Sequence, residues 1–176
     1  MRVFFAALPD PETTQRIAAL ARALELGAAS TRTPPGNYHM TLAFAGEVPE
    51  GQIAALRELG GAQRACGFTV RLDALEYWPN ARAVVAAARN CPASLEDLWR
   101  ELHTGLARQQ LALDPLPLRP HVTIARKVSQ APVFQAMSAF DWTVRSFHLM
   151  RSVTSAAGPV YTVVDTWALL DESATP

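Results

Sequence analysis

The chain has 176 residues, 49% of them hydrophobic, and its 16 basic side chains balance 16 acidic ones, so the formal net charge is zero. A chain of this length and apolar content can bury the core of one domain. Because no overall basic field exists, the composition excludes a protein that holds long nucleic acid by its net charge, and any contact with nucleic acid is expected to be local. No segment is apolar enough for a membrane span, and Cys66 and Cys91 lack metal or redox spacing. We expect a cytoplasmic protein without a membrane partner.

Hydrophobic periodicity and turn residues predict a chain of mixed strands and helices. Asp10 followed by Pro11 is typical of a helix start, and Gly27 predicts the end of that helix. The predicted elements in chain order are a strand at 2–7, a helix from 11 towards 27, a loop at 28–37, a strand ending at 46, a helix at 49–61, a hairpin of strands 68–75 and 81–87, a helix at 94–111, a strand around 120–125, two closing strands at 142–153 and 160–170, and a disordered tail at 171–176. Strand pairs between helices favour an antiparallel or mixed α+β fold over a doubly wound parallel one.

Two short stretches of the chain are near copies of each other. Residues 38–43 read Tyr-His-Met-Thr-Leu-Ala and residues 120–125 read Pro-His-Val-Thr-Ile-Ala. Side chains alternate across a strand, so His39 and Thr41 are expected to share one face, as are His121 and Thr123. The repeat, one copy in each half of the chain, indicates an internal duplication with two similar lobes.

Two imidazoles across a cleft are suited to phosphate ester chemistry. Hydrolysis of a cyclic phosphodiester needs a base that deprotonates water and an acid that protonates the departing ribose oxygen, and the ordinary pKa of histidine suits both tasks. Threonine hydroxyls would donate to the nonbridging oxygens, where negative charge grows. The scheme requires no metal or cofactor, and the sequence lacks His-Glu-x-x-His, Walker, dinucleotide and Gly-x-Ser-x-Gly motifs.

The alternative is structural: both histidines would cap loops or satisfy strand edges. Two matched copies with matching apolar flanks favour the functional interpretation. Phe44 continues the first motif strand on the histidine face, where it would stack on a base or pack in the core. Trp78, at the hairpin tip, is a candidate for stacking on a nucleobase. Trp99 is predicted to lie in the core, and His103 to be a partly buried or surface histidine.

The paired motifs resemble those of the 2H phosphoesterases, and within them the bacterial and archaeal RNA 2′,3′-cyclic phosphodiesterases, also called 2′-5′ RNA ligases. The resemblance is carried by residues 2–6, 37–48 and 119–126, with Tyr161 and Trp167 in the closing strand. It implies one bilobal, duplicated α+β domain over residues 1–170, with two antiparallel sheets flanking a central cleft and helices outside. It also implies metal-independent hydrolysis of RNA 2′,3′-cyclic phosphate ends to 2′-phosphates, and reversible 2′-5′ ligation of tRNA halves. We expect a monomer.

Carried over to this chain, the family pattern makes His39 and His121 the catalytic pair, with Thr41 and Thr123 binding phosphate. His39 is expected to be the acid that protonates the 3′ oxygen, and His121 the base that activates water. Arg126 is expected to hold phosphate or nucleotide, although in a regular strand it would point away from Thr123. It needs a twist or bulge to reach the site, and its alternative role is a surface salt bridge.

Two positions depart from the family pattern. An aromatic residue often follows the central Val-Val pair, where this chain has Ala86, and an arginine often precedes the closing tyrosine, where this chain has Gly158-Pro159-Val160. Both losses are expected to weaken nucleotide stacking or the grip on phosphate.

Two other functions stay open on the sequence alone. One is a phosphodiesterase for small cyclic phosphates, such as a cyclic nucleotide or ADP-ribose cyclic phosphate, and the other is a noncatalytic module that binds RNA ends. The zero net charge favours small substrates or RNA ends over long RNA. The intact histidine pair argues against a module used for binding alone.

Overall fold

The computed structural model describes residues 1–111, 117–155 and 158–171. The strands and helices, in chain order, are β1 (Arg2–Ala7), α1 (Pro11–Ala23), β2 (Thr31–Arg32), β3 (Met40–Glu47), α2 (Ile53–Gly61), β4 (Phe68–Leu72), β5 (Ala74–Trp78), β6 (Ala83–Ala87), α3 (Ala93–Arg108), β7 (His121–Arg126), β8 (Phe140–Val144), β9 (Ser146–Ser155) and β10 (Gly158–Ala168). Short 3-10 turns lie at Pro35–Asn37 and Glu50–Gln52. The predicted tail at 171–176 lies outside the described residues except for its first residue.

Two four-stranded sheets form the framework of the molecule. The first has the strand order β10-β9-β1-β3 and the second β2-β7-β6-β5, while β4 and β8 form a separate two-stranded ribbon. Every strand pair in them is antiparallel. The two motif strands, β3 and β7, therefore belong to different sheets, and they lie next to each other. The predicted α+β fold with two antiparallel sheets is confirmed.

The first helix begins as predicted and ends early. Asp10 accepts hydrogen bonds from the backbone N–H and the hydroxyl of Thr13, both at 2.9 Å, which is the geometry of an N-cap. The helix ends at Ala23, before Gly27, because the guanidinium of Arg32 donates to the carbonyl oxygens of Ala21 and Leu24 at its last turn. Arg32 itself lies in β2, a two-residue strand inside the predicted loop.

Two predicted strands are each divided in two. The segment 68–75 forms β4 and β5, which separate at Asp73, and the segment 142–153 is covered by β8 and β9, which separate at Arg145. Asp73 binds the β6 end of the second sheet, with its N–H donating to Ala87 and its carboxylate accepting from the N–H of Arg89. β4 is thereby free to pair with β8 while β5 pairs with β6.

The helices cover the sides of the sheets that face away from the site. α3 packs against β3, α1 against β7, and α2 against β9 and β10. The side chains buried in this main core include the leucines Leu95, Leu98, Leu102 and Leu106 of α3 and the inward-facing residues of both motif strands. Each motif strand is thus held from behind by apolar packing, which leaves its other face available for polar side chains.

Gly60 in α2 lies against the ring of Trp167, which itself packs on Phe5 and Phe147. A Cβ atom at Gly60 would lie 2.5 Å from a ring carbon. We therefore expect Gly60→Ala to lower the free energy of unfolding by about 1–3 kcal/mol through overpacking, measured as a lower urea midpoint. Gly61→Ala is the matched control, since its Cβ would lie 3.5 Å from the ring, and equal losses in the two variants would contradict this explanation.

Candidate active site

Each motif strand contains a β-bulge directly after its threonine. The extra residue, which has no partner in the neighbouring strand, is Leu42 in β3 and Ile124 in β7. Without a bulge, the residue three positions after each threonine would lie on the opposite face of the strand. The bulges bring Phe44 and Arg126 back to the face of the histidines. We call the space bordered by these two faces the cleft.

The bulges explain where two of the predicted site residues lie. Arg126 required a bulge to reach the site, and β7 contains one. Phe44 lies on the face of the histidine, as expected. Regular alternation would have turned it away from His39, and the bulge at Leu42 is what returns it to that face. Its neighbour Ala45 is a second extra residue in β3.

The backbone holds both histidines in the same tautomer. Nδ1 of His39 lies 2.8 Å from the carbonyl oxygen of Asn37, and Nδ1 of His121 lies 2.6 Å from that of Arg119. A carbonyl oxygen only accepts, so Nδ1 carries the hydrogen in each ring. Nε2 of each ring is therefore the nitrogen that can take up a proton from the neutral form or donate one from the charged form.

Different aromatic rings pack on the two imidazoles. The ring of His39 lies 5.0 Å from that of Phe4 and 4.9 Å from that of Tyr161, measured between centroids. The ring of His121 lies 4.4 Å from that of Trp78. The Trp78 indole, a candidate for base stacking, thus packs beside His121.

Glu76 links the residues around His121 into one cluster. Its Oε2 accepts from Nε1 of Trp78 at 2.8 Å and from Nη2 of Arg119 at 2.7 Å, and the Arg119 guanidinium lies over the Trp78 ring. Sequence reasoning missed this cluster. The alternation of strands offered a signal, because Glu76 and Trp78 are two residues apart, as are Arg119 and His121.

Burial lowers the pKa of both histidines. For His39 the loss of hydration is the largest cause, and the positive charges of Arg126 and His121 lower its pKa further. Loss of hydration is also the largest cause for His121, where Arg119 and Arg126 lower the pKa and Glu76 raises it. The hydrogen bond of each ring to a backbone carbonyl acts in the opposite direction. Arg126 therefore lies close enough to influence both imidazoles.

Two cavities meet at the motif residues. The larger, of about 700 Å³, is lined mostly by apolar groups of residues 41–44, 76–81 and 117–119 together with Trp99, His103 and His121, and we call it the apolar pocket. The smaller, of about 400 Å³, is lined by Arg2, Phe4, His39, Thr41, Phe44, Arg126, Ser152, Pro159 and Tyr161, and we call it the arginine pocket. Thr41 and Phe44 line both cavities, so the two form one continuous site. Its polar end lies at His39 and its apolar end at His121.

Most of the residues predicted for the site come together here. His39, Thr41, Phe44 and Arg126 line the arginine pocket, and His121 lines the apolar pocket together with the shared Thr41 and Phe44. Thr123 lies on the face of β7 between His121 and Arg126 but lines neither cavity. Within the part of the chain that the structure describes, Arg126 forms no ion pair, so its alternative role in a surface salt bridge is not observed.

Of the two departures from the family pattern, one lies in the core and the other beside the arginine pocket. Ala86 is fully buried in the main core, whereas its neighbours Val85 and Ala87 belong to the cluster on the cleft side. An aromatic side chain at position 86 would therefore enter the core and would not reach a nucleotide, so the weaker stacking expected there is wrong. The arginine pocket contains two guanidinium groups, from Arg2 and Arg126, although positions 158–160 supply none.

Trp99 does not lie in the core as predicted. The stripe of four leucines already occupies the core-facing side of α3, and Trp99 lies at its border, partly exposed and lining the apolar pocket. His103, one turn further on, is half-buried as predicted, and its ring lies 4.3 Å from that of Trp99.

Residues 1–111, 117–155 and 158–171 contain neither a candidate metal centre nor a membrane-spanning helix. No group of three or more histidine, cysteine, aspartate or glutamate side chains there is arranged to hold a metal ion. None of the helices in those ranges has the length and apolar character needed to cross a membrane.

Two strands that each present histidine and threonine, approaching from separate antiparallel sheets, are the feature that defines the 2H phosphoesterases, and the fold and site of this protein are of that class. The model of the 2′-5′ RNA ligase superfamily matches residues 6–156, and the chain belongs to that family. The resemblance inferred from the two motifs is confirmed.

Similar proteins cover most of the chain. The RNA 2′,3′-cyclic phosphodiesterase of Escherichia coli K12 is 35% identical over 135 residues, 76% of this chain and 76% of the relative. The protein of the same name from Thermus thermophilus is 31% identical over 154 residues, 79% of this chain and 75% of the relative. Among solved structures, E. coli LigT complexed with 3′-AMP superposes with a TM-score of 0.88 at 31% identity, covering 96% of this chain and 97% of that one.

The position of Arg126 near both imidazoles predicts a shared electrostatic effect. Because its charge disfavours the imidazolium form of each ring, Arg126→Ala is expected to raise the pKa of both His39 and His121, measured by NMR titration of the ring protons. Arg126→Lys should raise them less, since it keeps a positive charge. Arg100→Ala, which removes an exposed arginine paired with Asp97 on α3, is the control, and a change at only one histidine would contradict the inferred position.

Proposed function

We propose that the protein hydrolyses RNA 2′,3′-cyclic phosphate ends to 2′-phosphates, with His39 and His121 as the acid and base. The observation that carries the proposal is the matched pair of half-buried imidazoles. Each binds a backbone carbonyl through Nδ1, and Arg126 acts on both. Two rings held ready for proton transfer through Nε2 are what an acid and base need, whereas a module that only binds RNA ends has no use for them.

The relatives support this choice of substrate. Proteins of the same family from E. coli and T. thermophilus are named RNA 2′,3′-cyclic phosphodiesterase. A structure of similar fold contains 3′-AMP, a nucleoside with phosphate on its ribose. A site that joins an apolar pocket to an arginine pocket suits such a ligand, because it offers separate places for a base and a phosphate.

In the proposed reaction, His121 accepts a proton from water through Nε2 while the water oxygen bonds to phosphorus. The bond from phosphorus to the 3′ oxygen breaks on the opposite side, and His39 donates its Nε2 proton to that oxygen. The products are a 2′-phosphate and a 3′ hydroxyl. The assignment of His121 as the base follows the family pattern. Glu76 stabilises the imidazolium that forms there, although Arg119 and Arg126 each lower the pKa of His121 more than Glu76 raises it. The charges of Arg126 and His121 lower the pKa of His39, which favours release of its proton to the leaving oxygen.

The other site residues are assigned to binding. Thr41 and Arg126 would donate to the nonbridging oxygens, where charge increases in the transition state. Thr123, on the same face as His121, would do so from the other strand. The ring of Phe44, which lines both pockets, would pack against the nucleoside.

The same steps in reverse would join a 5′ hydroxyl to the cyclic phosphate and form a 2′-5′ link, with the histidines exchanging roles. RNA ends such as those of tRNA halves are the proposed partners, and the cytoplasm is the proposed compartment. Every residue assigned to the site comes from one chain, which supports activity as a monomer. No step requires a metal ion, so activity is expected to persist in EDTA.

Removal of either imidazole should abolish most of the activity. His39→Ala and His121→Ala are each expected to lower kcat for 2′,3′-cyclic AMP by about 100-fold or more, because each removes one partner in proton transfer. Formation of the 2′-phosphate is followed by phosphorus NMR with EDTA-treated enzyme. His148→Ala is the matched control, since this histidine bonds to Thr166 on the first sheet and lines neither pocket. Full activity in either motif variant would refute the two-histidine mechanism.

A substrate with sulfur in place of the 3′ oxygen separates the two roles. A thiolate leaves with little help from an acid, because thiols are far more acidic than alcohols. His39→Ala should therefore regain most of its activity on this substrate, while His121→Ala should remain impaired. Recovery of His121→Ala in place of His39→Ala would reverse the assignment of acid and base.

The lowered pKa values predict an acidic optimum for the free enzyme. Catalysis needs one neutral and one protonated imidazole, and burial lowers the pKa of both. The bell-shaped profile of kcat/KM is therefore expected to peak on the acid side of the ordinary histidine pKa. Bound phosphate stabilises the imidazolium form, so the profile of kcat should peak at higher pH. A kcat/KM optimum well above neutrality would contradict these shifts.

A further inference from the structure

We propose that the apolar pocket holds the bases of the last two nucleotides of an RNA chain, the terminal base beside Phe44 and His121 and the penultimate base against Trp99. The inference rests on the proposed function and narrows its substrate class. It means that the enzyme acts on oligonucleotide ends in preference to free cyclic mononucleotides.

The size of the apolar pocket exceeds what one base needs. A purine has roughly ten heavy atoms, and if each took the volume of one water molecule in the liquid, the base would fill roughly 300 Å³. The pocket has about 700 Å³. It therefore has room for two bases, which would fill roughly 600 Å³, with the riboses and phosphates lying outside it.

A second aromatic surface, on α3, also lines this pocket. Trp99 and His103 lie one turn apart on α3, with ring centroids 4.3 Å apart, and Nδ1 of His103 lies 2.8 Å from the carbonyl oxygen of Trp99. The carbonyl accepts, so Nδ1 donates and the imidazole is held next to the indole. Neither ring is needed by the main core, which the leucines of α3 already fill. An exposed aromatic face inside a cavity is suited to stacking on an unpaired base.

The charge near this surface suits a phosphodiester link between the two nucleosides. Arg119 also lines the apolar pocket, with its guanidinium over the Trp78 ring that packs on His121, and its only ion pair among the described residues is with Glu76. A link that passes Arg119 would meet a guanidinium already ordered by Glu76 and Trp78. Arginine in this setting binds a phosphate at little cost in side-chain entropy.

The arginine pocket fits a second base less well. It has about 400 Å³, and two of its three aromatic side chains, Phe4 and Tyr161, are packed against His39. Its guanidinium groups match phosphate oxygens better than a base face. If the RNA ran through this pocket, a change at Arg2 would affect long substrates most, which provides a direct comparison for the test.

The test compares kcat/KM for 2′,3′-cyclic AMP with that for the dinucleotide ApA carrying a terminal 2′,3′-cyclic phosphate. We expect the wild-type protein to prefer the dinucleotide, and Trp99→Ala to reduce this preference about tenfold or more, since stacking of one base is lost. Trp99→Phe keeps an aromatic face and should retain most of the preference, which separates stacking from a general loss of structure. Arg100→Ala, on the next residue of the same helix, should leave both values unchanged.

The possible outcomes are distinct. If the wild-type protein hydrolyses neither substrate, the proposed function fails. If it hydrolyses both equally well, or if the preference survives in Trp99→Ala, the second-base subsite is refuted while the proposed function stands. If Arg2→Ala removes the preference and Trp99→Ala does not, the RNA lies in the arginine pocket and the inference is wrong.

Discussion

The site depends on one extra residue in each motif strand. A regular strand would direct the side chain three positions after each threonine into the core, where Arg126 would be an unpaired buried charge. The bulges at Leu42 and Ile124 place two consecutive apolar residues on the core side and return the next side chain to the cleft. Each bulge leaves one residue of its strand unpaired, and it places the histidine, the threonine and the returned side chain on one face. The helices that pack against β3 and β7 stabilise the bulges, because they cover the additional buried residue of each strand.

The β-bulges of the two motif strands return chemically different side chains to the cleft. In the first motif the residue returned to the cleft is Phe44, and in the second it is Arg126. One motif strand therefore returns an aromatic ring to the cleft and the other a guanidinium, while each histidine is held by its own backbone. Such a division suits a ligand that is itself divided into an apolar base and an anionic phosphate. The electrostatic surroundings of the two imidazoles also differ, since Glu76 acts on the pKa of His121 and not on that of His39.

The sequence predicted the parts of the structure that depend on local pattern. The paired motifs, the antiparallel fold and the cap at Asp10 follow from alternation and from the chemistry of single side chains. The bulges could not be predicted in this way, because an extra residue shows only against the register of the neighbouring strand. The face on which Ala86 lies could not be predicted for another reason, because β6 is apolar on both faces and its pattern does not show which face borders the cleft. Trp99 was assigned to the core because its neighbours are leucines, although a helix has room for only one such stripe on its buried side.

In the proposed mechanism, Arg126 connects substrate binding to the protonation of the acid. In the free protein its charge and the burial of the rings favour neutral imidazoles, which suits the base but leaves the acid without its proton. A bound phosphate offsets the charge of Arg126 and adds a negative charge beside both rings, so the pKa of each rises. The imidazole that must donate is then protonated chiefly when substrate is present, and the other ring, facing a proton already on its neighbour, stays neutral. In the proposed mechanism, a single arginine placed by a single bulge would bind phosphate and, together with the burial of the rings, determine the protonation of the two histidines.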